Sequence, residues 1–232
     1  MPYVLHYAPD NASLIVRLAL EHRGLPYRAA LVDRRVKAQQ SVDFRALNPN
    51  GLIPVLETPE GALFETGAIL LYLADRHGGL GPGQDDPGRG DFLKWLFFLS
   101  NTIHPGLRRL FYPQNYIAAD HVAALRSGAH ADLAQHYATL EAQAARGRGW
   151  LLGGPAPSVV DFYAAALLRW PALYPVDQPR DWFDLTAYPA LTRLAAAVET
   201  LPATVALQSA EGLGDTPFTA PRYPQPPEGS AT

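Results

Sequence analysis

The first residues able to do chemistry lie together in the run Tyr7-Ala8-Pro9-Asp10-Asn11-Ala12-Ser13. A short apolar stretch, residues 3–7, precedes the run, and helical spacing follows it, with Leu14 and Leu18 one turn apart. Asp10, Asn11 and Ser13 thus fall at a helix start, where free backbone N–H groups and the helix dipole favour an anion or a reactive sulfur. The same residue types are the preferred helix caps, so the run suits capping as well as catalysis. The chain has no cysteine, which excludes a disulfide framework, a cysteine nucleophile, a CxxC redox pair and a thiolate zinc site. Any sulfur chemistry here needs a thiol brought by a ligand.

Other chemical candidates are fewer. The seven histidines are dispersed without His-x3-His spacing, and His130 and His136 are poorly placed for one helix face, so no metal is expected. A GxGxxG dinucleotide loop and a P-loop are absent. Ser158-x-x-Asp161, ahead of an apolar run, is an acidic variant of the capping box and is assigned to folding.

The elements that must position these residues change character along the chain. Residues 3–7 read as a buried strand, 13–23 as a helix closed by Gly24 and Pro26, and 27–32 as a second strand. A short helix at 41–47 stops before the turn Asn48-Pro49-Asn50-Gly51. Residues 54–57 and 62–64 form a hairpin, and 66–77 a helix with Ile69, Tyr72, Leu73 and Arg76 suitably spaced. The order is βαβαββα, a parallel crossover followed by an antiparallel hairpin. The breaker-rich stretch 79–90 reads as a linker between a domain at 1–78 and a second at 91–211. Strand patterns vanish beyond it: helices are expected over 91–112, kinked at Pro105, and over 120–146, 158–170, 188–200 and 203–210. The segment 212–232 is rich in proline and glycine and reads as a tail or as chain laid over the surface.

With 48% hydrophobic residues the chain can bury a substantial core, and a net charge of −3 lacks the basic footprint of a nucleic-acid binder. No apolar run approaches the roughly 18–20 residues that span a bilayer, and no signal peptide is evident, so no membrane partner and a cytoplasmic location are expected.

The opening bend, "NPNGLIPVLE" at 48–57 and "ALFETGAILLYLADRH" at 62–77, in order and at this separation, resemble the thioredoxin-like domain of the cytosolic glutathione S-transferase superfamily. The all-helical remainder resembles that superfamily's second domain. The resemblance implies glutathione as co-substrate, a cis peptide before Pro54 that exposes the Ile53 backbone to the cysteinyl part of glutathione, and a homodimer. It also implies that Thr66, at a helix N-terminus, holds the γ-glutamyl carboxylate while Glu65 takes the amino group of the same moiety. A thiolate must then be stabilised at neutral pH. A free thiol ionises near pKa 8.5, and one hydrogen bond to the charged sulfur lowers that by about one to two units.

Three donors compete for that role. Aligned with the bacterial beta-like class, the family cysteine falls on Ala12, which cannot act, and the following serine on Ser13. Asn11 offers an amide, and Tyr7 takes the slot of the catalytic tyrosine in several animal classes. The beta-like glutamine before Val-Pro is Leu52, a Trp-Leu-Asn run becomes Trp95-Leu96-Phe97, and the family's histidine matches His104 with Pro105 beside it. The second substrate, a hydrophobic or electrophilic small molecule, is expected between domains against His104, Arg108, Phe111 and Tyr112, with Trp95, Phe98 and Tyr116 as further aromatic candidates. Arg108 or Arg109 suits an anionic co-substrate. Two other classes stand beside the transferase: a non-catalytic binding relative, and a specialised glutathione-dependent isomerase, dehalogenase or lyase.

Overall fold

The computed structural model describes residues 2–147, 151–154 and 156–230. Its N-terminal third runs β1 (Tyr3–Tyr7), α1 (Ser13–His22), β2 (Tyr27–Leu31), α2 (Val42–Leu47), β3 (Val55–Thr58), β4 (Gly61–Phe64) and α3 (Thr66–His77). The sheet order is β2-β1-β3-β4. β1 pairs in parallel with β2, Tyr3 opposite Tyr27 and Tyr7 opposite Leu31, and antiparallel with β3, which turns into β4. The parallel crossover and closing hairpin expected from the residue patterns are therefore both present.

The elements that follow among the described residues are mainly helices: α4 (Arg89–Phe98), α5 (His104–Phe111), α6 (Val122–Ala144), α7 (Val159–Arg169), α8 (Pro189–Glu199) and α9 (Pro202–Glu211). Pro105, where a kink is expected, lies in the first turn of α5. A wider, π-type turn, Leu99–Ile103, joins α4 to α5. Proline cannot donate to the carbonyl one turn back and crowds it, and the wider turn absorbs that mismatch.

α7 is buried along its whole length, which explains why its sequence is apolar all round. Ser158 caps it: the Ser158 backbone N–H donates to Asp161 Oδ2 at 2.7 Å, and the Val160 N–H donates to Ser158 Oγ at 3.1 Å. Asp161 also accepts from the Gly153 N–H at 3.0 Å.

α1 packs against α3, α7 and α9. Leu14, Ile15, Val16, Leu18 and Leu20 are consequently all enclosed, and the two halves share one hydrophobic core. The stretch before α4 takes part in that core. Leu80 is buried, and its carbonyl accepts from the Val159 N–H at 2.9 Å.

The proline-rich segment is laid over the surface. Phe218 is fully buried, and the Gln225 N–H returns to the Gly212 carbonyl at 2.8 Å. Gly212, at φ +66, permits this close return, because a Cβ there would sit 2.0 Å from the Gln225 carbonyl oxygen. The last two residues of the expected tail lie outside the described residues. Among the described residues, no single helix is long and apolar enough to cross a membrane.

Candidate functional site

The bend between β1 and α1 is held by an unusual number of partners. Asp10 is buried at φ +50, a left-handed conformation that aspartate tolerates better than most residues. Its carboxylate accepts from Arg169 Nε at 2.8 Å, Arg169 Nη2 at 2.9 Å, Trp170 Nε1 at 3.0 Å and the Tyr174 hydroxyl at 2.8 Å. Its backbone N–H donates to Glu211 Oε2 at 2.9 Å. Asp10 is thus a structural anchor, and the residue after it inherits a fixed position.

Asn11 borders a cleft of about 800 Å³. Its Oδ1 accepts from the Ala12 N–H at 2.9 Å, which fixes the amide plane and leaves Nδ2 as the group able to donate. Among the described residues nothing accepts from that nitrogen. The two other candidate donors lie elsewhere. Ser13 is completely buried behind the bend; its hydroxyl donates to the Ala8 carbonyl at 3.1 Å and receives the Ala8 N–H at 3.4 Å. The cleft lining does not include it. Tyr7 points to the back of α1, where its hydroxyl donates to Glu228 and the Arg17 guanidinium lies 4.5 Å from the ring centroid. Burial, with the Glu228 hydrogen bond added, raises the Tyr7 pKa far above 10, and its side chain also lies outside the cleft.

The turn before β3 forms one wall. Buried Asn48 donates through Nδ2 to the Leu52 carbonyl at 2.8 Å and accepts the Asn50 N–H at 3.1 Å. Gly51 sits at φ +62 against the Gln39 carbonyl, which a Cβ would approach to 2.8 Å. These constraints present Ile53 to the cleft, followed by a cis peptide to Pro54. The start of α3 supplies the adjoining wall: Glu65, at φ +70 and exposed, then Thr66, buried at the first helical position. The unsatisfied N–H groups there favour a carboxylate.

The opposite wall comes from α5 and the end of α7. His104, Arg108, Phe111 and Tyr112 all face the cleft, joined by Trp170 and Tyr174. The His104 Nδ1 lies 2.8 Å from the Tyr163 hydroxyl, and its ring packs on Trp170 with centroids 5.3 Å apart. Burial, with the Arg108 charge adding, pushes the His104 pKa down to about 4, so the ring is neutral near pH 7. Arg34 reaches from the N-terminal half to donate to the Tyr112 hydroxyl at 3.1 Å, closing one end.

The remaining aromatic candidates are core or surface. Trp95 is buried with Phe98 edge-on at 5.5 Å, and Tyr116 is exposed, accepting from Arg108 Nε at 3.2 Å. Arg109 is exposed outside the lining. Among the lining residues not foreseen are Arg34, Gln39, Gln40, Asn48, Trp170 and Tyr174. Of these, Asn48 carried a local signal, in its turn motif.

One cleft therefore joins an amide donor at a helix start, a cis-proline loop, a helix N-terminus and an aromatic wall. Residues 12–76 match the family model for the glutathione S-transferase N-terminal domain, and residues 120–197 that for its C-terminal domain. Glutathione S-transferase GST-4.5 of Xanthomonas campestris pv. campestris is 31% identical over 72% of this chain and 81% of its own length. This chain belongs to the glutathione S-transferase family. A sphingomonad glutathione S-transferase solved in complex with glutathione matches this family member at 34% identity, over 91% of this chain and all of that one, with a TM-score of 0.73. A Burkholderia graminis glutathione transferase, solved with two glutathione molecules per subunit, is 30% identical over 90% of this chain and 88% of its own, with a TM-score of 0.76. Among the described residues, no group of three or more His, Asp or Glu side chains is arranged to hold a metal ion.

Proposed function

We propose that this protein is a glutathione transferase that binds glutathione along the N-terminal half of the cleft and directs its thiolate at an electrophilic small molecule. The observation that carries the reading is the amide of Asn11. Its oxygen is tied to the Ala12 N–H and its nitrogen is left to donate, on the cleft that also receives Ile53 and Thr66.

In this assignment the Asn11 Nδ2–H donates to the glutathione sulfur and stabilises the thiolate over the thiol. The Ile53 backbone, presented by the turn before Pro54, pairs with the cysteinyl residue. Thr66 and the α3 N-terminus hold the γ-glutamyl carboxylate, and Glu65 takes the γ-glutamyl amino group. The thiol proton passes to solvent, the sulfur lone pair forms the new S–C bond, and the electrophile keeps or expels the displaced electron pair according to its chemistry. His104, Arg108, Phe111 and Tyr112 form the wall for that second substrate. The molecule works in the cytoplasm as a homodimer, with the N-terminal region to residue 78 as the glutathione-binding unit.

Calorimetric titration with glutathione, coupled to a pH titration of thiolate absorbance in the complex, tests the reading. Saturable binding and a thiol pKa below about 8.5 are expected. Absence of saturable binding at millimolar glutathione sinks the assignment. Binding with an unshifted thiol sinks the role of Asn11 alone.

A further inference from the structure

We infer that the second substrate is a flat, conjugated electrophile carrying a carboxylate or similar anionic group, which Arg108 receives. The inference rests on the transferase reading above and concerns the half of the cleft away from Asn11.

Arg108 is half-buried in the cleft wall. Its Nε donates to the Tyr116 hydroxyl at 3.2 Å, and its guanidinium carbon lies 6.0 Å from the Tyr112 ring centroid. Among the described residues no carboxylate forms an ion pair with it, whereas Arg17, Arg35, Arg76, Arg89 and Arg169 each have one. The acidic residues of the cleft do not compensate it. Asp10 is committed to Arg169, Glu65 stands at the start of α3, and Asp177 is exposed on the loop after Pro175. A partly desolvated guanidinium without a counter-charge is a strong anion receptor, because its two terminal nitrogens match the oxygens of a carboxylate.

The surroundings add shape to charge. Phe111, Tyr112, Trp170 and Tyr174 line the same cleft, and four aromatic side chains there suit a planar conjugated body. His104, one turn before Arg108, is neutral and adds no charge of its own, and Arg34, the other cation of the lining, donates to the Tyr112 hydroxyl. Arg109 provides the contrast: it is the adjacent residue and carries the same kind of side chain, but is exposed and outside the cleft.

The test uses the full chain, glutathione, and two electrophiles with the same reacting carbon: para-chloro-meta-nitrobenzoate and its methyl ester. In each, the thiolate sulfur bonds to the ring carbon bearing chlorine, the C–Cl bond breaks, and chloride leaves with the electron pair. Arg108→Gln is expected to lose about 10- to 100-fold more kcat/KM with the benzoate than with the ester, the range for one charge-assisted hydrogen bond. Arg108→Lys should recover part of the benzoate loss, and added salt should depress wild-type turnover of the benzoate more steeply than that of the ester. Equal losses with both electrophiles, or equal salt dependence, overturn the inference. A rise in the glutathione KM that is the same with either electrophile assigns Arg108 to a glutathione carboxylate, and also overturns it. Wild-type protein that shows no saturable glutathione binding sinks the transferase reading itself, whereas protein that binds glutathione but turns over neither compound, or turns over both without this dependence on Arg108, sinks only the substrate class.

Discussion

Asp10 and Arg169, 159 residues apart in the chain, form a two-point ion pair with both side chains fully shut from solvent. The remaining guanidinium donors are used as well: Nη1 meets the Pro217 carbonyl and Nη2 the Arg222 carbonyl, both at 2.9 Å. One side chain of α7 thereby links the bend before Asn11 to the C-terminal segment. The same Asp10 carboxylate receives Trp170 and Tyr174, whose rings line the cleft. Positions of the proposed thiol donor and of the second-substrate wall are therefore set by one buried anion.

Removing one member of that pair leaves the other charged, buried and unmatched. Asp10→Asn and Arg169→Met should each cost about 3–5 kcal/mol of unfolding free energy in urea titrations. The double variant should cost clearly less than the two losses combined, since neither orphan charge remains. Additive losses would show that the pair contributes no coupling.

Asn11 and Ser13 separate catalysis from support of the bend; the capping expected of them is not made, because α1 starts after Ala12 with no side-chain cap. Asn11→Ala should raise the pKa of bound glutathione by about one to two units, as expected for one lost hydrogen bond to a charged sulfur. Ser13→Ala should instead lower stability by about 1 kcal/mol through loss of the bond to Ala8, with the thiol titration unmoved. A thiol shift in the serine variant and none in the asparagine variant would reverse the assignment.

The segment after α9 should behave as part of the fold. Phe218 is fully buried, and its N–H donates to Glu199 Oε1 at 2.7 Å. Phe218→Ala should cost about 3–5 kcal/mol, the range for an enclosed aromatic side chain. Truncation after Glu211 also removes the carbonyls of Pro217 and Arg222 that hold Arg169, so it should loosen the Asp10 bend. Hydrogen exchange at the start of α1 should then accelerate; unchanged protection there would show that the segment is only a cover.

Local patterns carried much of this structure and failed at identifiable places. Strand and helix order follow from period and breakers, and His104, Arg108, Phe111 and Tyr112 share a face because helical spacing brings them together. Ser158 announces its helix start by residue type, whereas Thr66 is the first helical residue after Glu65, which makes no side-chain cap. Ser13 also looks like a donor by type and position, yet its hydroxyl is spent on Ala8, a choice that only the three-dimensional bend decides. The partner of Asp10 comes from α7, and no periodicity in either segment points to the other. Arg34, Gln39 and Gln40 enter the cleft from two single 3-10 turns between β2 and α2, too short to show a repeat. Proline-rich composition left the last segment ambiguous between a tail and a surface strap, and the buried Phe218 decides for the strap.

The pH response of His104 is a direct check on the electrostatics of the cleft. Its pKa is depressed to about 4 from an ordinary value of 6.5, first by burial and then by the Arg108 guanidinium. In the window between those values the unfolded chain binds a proton that the native site refuses, so stability rises with pH across it. The contribution is present above about pH 6.5 and is lost as pH falls toward 4. The imidazole resonances of His104 should therefore not titrate between pH 5.5 and 8, and kcat/KM should show no inflection from this residue there. Arg108→Gln removes the secondary cause and should move the His104 titration upward while leaving it below 6.5, because burial remains. A His104 that titrates near 6.5 in the intact protein would show that water reaches this wall freely, and would remove the desolvation that makes Arg108 an effective anion receptor.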